Sequence, residues 1–77
     1  MIDSHNCIEL PDINSGDNGK YVELLQLLLN GKGYYCGNVD GICGMRTLMA
    51  VNKVNVDASQ PGTKGCNIET WLHLLNK

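Results

Sequence analysis

The side chains best suited to chemistry in this chain are Cys7, Cys36, Cys43 and Cys66, together with His5 and His73. No two cysteines are separated by two intervening residues, the spacing of a zinc knuckle or a thioredoxin-type motif. His5 and Cys7 offer two metal ligands where a structural zinc needs four, so a terminal histidine without metal is the preferred reading. No nucleophile–base constellation is readable, and no cofactor motif is present. The four thiols leave two alternatives open. In an oxidising compartment they form two disulfides, with three connectivities to choose from. In a reducing one they pack as small hydrophobes. Free thiols are the preferred reading, with Cys43 and Cys66 buried and Cys36 more accessible.

The elements that must position these residues are few. Seventy-seven residues make one small domain with a thin core. Six Lys plus Arg against eight Asp plus Glu give a net charge of −2, without the basic excess of a nucleic-acid binder. At 43% hydrophobic and 18% charged residues, the chain can fold and is not a disordered acidic tail. Apolar runs such as Leu27 to Leu29 and Leu48 to Val51 are too short for a membrane span. No charged segment followed by an apolar one opens the chain, so no signal peptide is visible.

Residues 1–9 read as an extended or flexible segment and 10–77 as the folded domain. The stretch Ile8 to Pro11 is expected to be extended, since proline disfavours the α region in the residue before it. Asn14 to Gly19 is turn chemistry. A first helix starts near Lys20, capped by Asp17 or Asn18, and ends at Asn30-Gly31 or Gly33. Its core face carries Val22, Leu25 and Leu29. Leu24 and Leu27 fall off that face and are expected at the surface. A Gly-rich irregular loop follows, with Gly33, Gly37, Gly41 and Gly44. A second helix spans about Met45 to Asn55, with Thr47, Ala50, Val51 and Val54 facing inward. A third runs from about Ile68 to Asn76 with Asn67 as its cap.

The segments Asp40–Leu48 and Thr63–Trp71 align without gaps. Cys43 meets Cys66, Thr47 meets Thr70, and Gly44 meets Asn67, each at a helix start. Two loop-to-helix units of one design indicate a duplicated supersecondary element.

The ordered set Gly16, Gly19, Val22, Leu25-Gln26, Leu29, Gly33-Tyr34, Val39-Asp40-Gly41-Ile42, Gly44, Thr47, Ala50-Val51, Thr70-Trp71 and Leu74 resembles the three-helix "type 1" peptidoglycan-binding domain. The match runs from about Leu10 to Leu75. It implies an all-α, small closed three-helix bundle with Gly-rich loops before helices two and three. It further implies a non-catalytic module of the cell wall, outside the cytoplasm, that targets an amidase, a muramidase or an endolysin to peptidoglycan. The chain departs from the family pattern at Val54 and Cys43, where the family has larger side chains, at Asn55, where it has Gln, and at Thr63-Lys64, where it has Asp-Gly.

Within that frame, Tyr35, Asn38, Asp40, Arg46 and Asn52 are the candidate peptidoglycan-binding residues, with Tyr35, Asn38, Arg46 and Asn52 expected to line one shallow groove. Tyr34 is assigned to the core by the resemblance, leaving Tyr35 to face a sugar. Arg46 opposes the helix dipole in its first turn, which calls for a carboxylate partner, internal or on the ligand. Asp40 either holds a sugar hydroxyl or, as preferred, caps its own loop. Gln26 is read as a buried amide tying a loop, and Trp71 as core. The competing functional reading is a protein-docking module that uses the apolar Leu24 and Leu27 face, with weak self-association as one form of it.

Overall fold

The computed structural model describes residues 10–76. Three helices follow in order: α1 (Lys20–Gly31), α2 (Met45–Asp57) and α3 (Ile68–Leu75). Each packs on the other two, and no strand occurs among the described residues. The all-α three-helix architecture is the one the sequence implied. The expected extended stretch Ile8–Pro11, the His5–Cys7 pair and the 1–9 boundary fall wholly or mainly outside the described residues.

The core follows the helical spacing. Val22, Leu25 and Leu29 of α1, Ala50, Val51 and Val54 of α2, and Trp71 and Leu74 of α3 converge. Apolar side chains three or four positions apart lie on one helix face, so each helix turns a single stripe inward. Leu24 and Leu27 lie outside that stripe and stay 39% and 58% exposed. Trp71 is fully buried, and its indole N–H donates to the Pro11 carbonyl at 2.8 Å, pinning the N-terminal arm over the core.

The helix ends differ in kind. Asn67 accepts from the Thr70 amide while the Thr70 hydroxyl accepts from the Asn67 amide, a reciprocal box that starts α3 as expected. The cap expected for α1 is corrected: Gly19 holds that position, with no side-chain cap bond. The Asp17 carboxylate instead accepts from the Asn14 amide at 2.8 Å, closing the 14–17 turn, and Asn18 bridges Ile42. Gly44 precedes α2, again without a side-chain cap.

The duplicated unit is visible in the backbone hydrogen bonds. The arm exchanges two bonds between Ile13 and Cys66, both 2.8 Å. A few residues on, the Gly16 amide donates to the Cys43 carbonyl and the Cys43 amide to the Asp17 carbonyl. The arm therefore laces the two loops together at their equivalent cysteines. Gly65 makes this approach feasible. A Cβ there would lie 2.6 Å from Asn14 Oδ1 and 2.8 Å from the Ile13 carbonyl, at φ +84°.

Candidate functional site

Each loop is fixed by an amide from the preceding helix. Gln26, 1% exposed in α1, donates through Nε2 to Asp40 Oδ1, the Ile42 carbonyl and Thr47 Oγ1, all at 3.0 Å. Its Oε1 accepts from the Asp40 and Gly41 amides at 3.0 and 2.9 Å. One buried side chain thus satisfies a whole turn of backbone, as the reading of Gln26 anticipated. Asn55 of α2 has the equivalent task and donates to the Thr63 and Gly65 carbonyls. Asn55 is one methylene shorter than Gln, and Gln60 completes the network by donating to Asn55 Oδ1, Asn67 Oδ1 and Thr70 Oγ1. The Thr70 hydroxyl also donates to Asn55 Oδ1. Sequence reasoning noted Asn55 only as a departure. Its role was signalled by the parallel between Leu25-Gln26 and Val54-Asn55, each placed ahead of an aligned loop.

Asp40 spends its carboxylate internally, accepting from the Ile42 amide at 3.0 Å as well as from Gln26. The Gln26 bond, then the Ile42 bond, hold its pKa below the ordinary value. It shapes the loop rather than lining a groove.

Two grooves flank the outer face of α2. The first, about 260 Å³, is lined by Tyr35, Cys36, Gly37, Arg46, Met49, Ala50 and Lys53. Tyr35 and Arg46 are thereby brought together as expected, and Tyr35 is 79% exposed. The Arg46 side chain lies along the Gly37 backbone, 3.5 Å from where a Cβ would stand. The second groove, about 410 Å³, is lined by Asn14, Ser15, Leu48, Asn52, Lys64 and Gly65. Asn52 belongs here and does not share the Tyr35 groove. Six residues of α-helix put it about 120° round the axis from Arg46. Asn38 is exposed on the loop and lines neither groove.

Tyr34 packs partly buried against the core, and its hydroxyl donates to the Asp57 carboxylate. That bond, with burial, raises its pKa. The expected accessibility of Cys36 is corrected: it is 3% exposed. Its amide donates to Asn30 Oδ1 and Asn30 Nδ2 donates to the Gly37 carbonyl, a clamp that turns Cys36 inward while Tyr35 points out. Cys43 and Cys66 are buried as expected, and all three described cysteines are free. Burial raises each thiol pKa, and that of Cys66 is pushed up to about 12. Among the described residues no three His, Cys, Asp or Glu side chains gather to hold a metal. No described helix is long and apolar enough to cross a membrane.

Two loop-to-helix units, each tied by a buried amide, sit on three mutually packed helices. The solved structure of the SleB N-terminal domain is similar, with a TM-score of 0.80 and 27% sequence identity. The alignment covers 91% of this chain and 96% of that one. No protein-family match and no match among curated proteins was found. The fold observed is the one the sequence resemblance implied, that of the three-helix type 1 peptidoglycan-binding domain.

Proposed function

We propose that this chain is a non-catalytic module that binds bacterial peptidoglycan and carries an attached or partner cell-wall hydrolase to it. The observation that carries the reading is the outer face of α2, where a stacking aromatic, Tyr35, and a guanidinium, Arg46, share an open groove. An exposed tyrosine offers its ring to a sugar face, and arginine matches a carboxylate with a planar fork of donors. Asn52, in the neighbouring groove, adds a hydrogen-bonding amide, and Asn38 offers another at the loop edge. Such contacts are individually weak. A repeating polymer still concentrates the attached enzyme, because each release is followed by rebinding nearby.

Co-sedimentation with purified sacculi tests this, alongside a turbidity assay for lysis. The expected result is retention in the pellet without clearing of the suspension. Absence of retention at high wall concentration overturns the binding claim, and clearing by the chain alone overturns the non-catalytic one.

A second reading has its own observation. Tyr21, Leu24 and Leu27 stand exposed at successive third positions of α1. Such an apolar row suits docking onto a protein, a second copy included. Leu24→Lys with Leu27→Lys should leave the melting temperature within about 3 °C of wild type while abolishing any self-association seen by sedimentation velocity. A fall of 10 °C or more would place both leucines in the core.

A further inference from the structure

The two grooves beside α2 share a charge pattern that the net charge hides. Their linings contain Arg46, Lys53 and Lys64 and no carboxylate. The chain as a whole carries an excess of acids, with a net charge of −2. Those acids lie elsewhere among the described residues: Asp12 and Asp17 in the arm, Glu23 on α1, Asp40 inside its loop, Asp57 with Tyr34, and Glu69 on α3. Arg46, Lys53 and Lys64 are exposed, and none has a hydrogen-bond or ion-pair partner among the described residues. Arg46 and Lys53 on one side of α2 and Lys64 on the other, without partners among the described residues, make a local field of the opposite sign to the net charge.

We propose that the two grooves flanking α2 form a cationic surface that recognises free carboxylates on the stem peptides of peptidoglycan, with Arg46 as the principal anchor. This rests on the peptidoglycan reading above and adds to it which part of the wall is held. Arg46 and Lys53 are two helical turns apart, so their Cα atoms are about 10 Å apart along α2. An extended peptide covers that distance in about three residues, so two carboxylates about that far apart on one peptide can pair with both cations. The floor between the two cations is Cys36, Met49 and Ala50, apolar surface on which a short peptide or the face of a sugar can lie. Lys64, across the α2 ridge, reaches a second stem or the continuation of the first. A neutral glycan gives these cations nothing to pair with, whereas a strand bearing uncrosslinked stems pairs with all three.

The test is co-sedimentation of the whole chain with three preparations of the same sacculi. One is untreated, one has its carboxylates amidated with carbodiimide and ethanolamine, and one is stripped of phosphate-bearing wall polymers. An exposed ion pair is worth about a two- to fivefold change in affinity. Amidation is therefore expected to weaken binding at least about tenfold, and the triple variant Arg46→Gln, Lys53→Gln, Lys64→Gln to do the same on untreated sacculi. Its circular-dichroism melt should match wild type. Stripping the phosphate polymers should change binding less than twofold. Equal binding to amidated and untreated sacculi overturns the carboxylate assignment while leaving peptidoglycan binding standing. A large loss on stripping reassigns the surface to phosphate polymers and overturns it too. Failure to bind any of the three overturns the peptidoglycan reading itself.

Discussion

Replacing Gln26 by Leu removes one side chain and unsettles a whole loop. The isosteric apolar group fits the volume but leaves five hydrogen-bonded partners without Gln26. Water can reach some of them, since Asp40 and Ile42 are exposed. It cannot easily reach the Gly41 amide or the Thr47 hydroxyl, both in buried residues. A buried polar group stripped of its partner costs about 1–3 kcal/mol. Two such groups give a loss of about 2–6 kcal/mol, toward the lower end because the Thr47 hydroxyl can turn to the carbonyl of Gly44 or Cys43 just ahead of α2. Small domains of this length hold only about 4–12 kcal/mol in total. Gln26→Leu should therefore unfold at far lower urea, or be unfolded without it. Trp71, the single tryptophan and fully buried, reports the transition by fluorescence. A loss below about 1 kcal/mol would refute the claim that this amide organises the loop.

Three further outcomes follow from the same geometry. Gly65→Ala should lose at least about 2 kcal/mol in urea melts, because its Cβ would meet Asn14 and Ile13 at positive φ; Gly62→Ala, at φ +87° with open space around it, should lose only about 1 kcal/mol. The depressed Asp40 pKa means a stabilising contribution that is present above the unfolded value, near 3.8, and disappears as pH falls through the lower folded value. Urea midpoints measured below about pH 4 should thus fall more steeply for wild type than for Asp40→Asn, and parallel curves would contradict this. Cys36, Cys43 and Cys66 are buried thiols of raised pKa, so labelling at pH 8 should reach them only through opening of the fold, at a rate that rises with added urea. Rapid labelling of Cys36→Ser and wild type alike at sites 43 or 66 would show the loops to be open.

Where side-chain position follows from a regular period, the sequence was sufficient. The inward stripes Val22-Leu25-Leu29 and Thr47-Ala50-Val51-Val54, the Asn67 cap and the outward Leu24 and Leu27 all depend on about 100° per residue or on a local cap. The paired burial of Cys43 and Cys66 was legible from the internal alignment. Cys36 was not, because its direction is set by the Asn30 clamp six residues back and not by any period. The α1 cap was misplaced for a related reason: Asp17 and Asn18 are both good caps in isolation, but the turn and the bridge to Ile42 claim them first. The grouping of Asn52 with Arg46 yielded to helix geometry that the sequence did contain, since six residues cannot return to one face. Lys64 was not legible as a neighbour of α2, because it meets Leu48 and Asn52 only through the tertiary fold.

Chemical-shift mapping of the amide resonances during titration with soluble muropeptides tests most directly whether the α2 face binds peptidoglycan. The expected perturbations cluster at residues 35–37, 46–53 and 64–65, and leave 21–28 and 68–75 unmoved. Shifts confined to α1 or α3, or no shifts at millimolar muropeptide, would contradict the account.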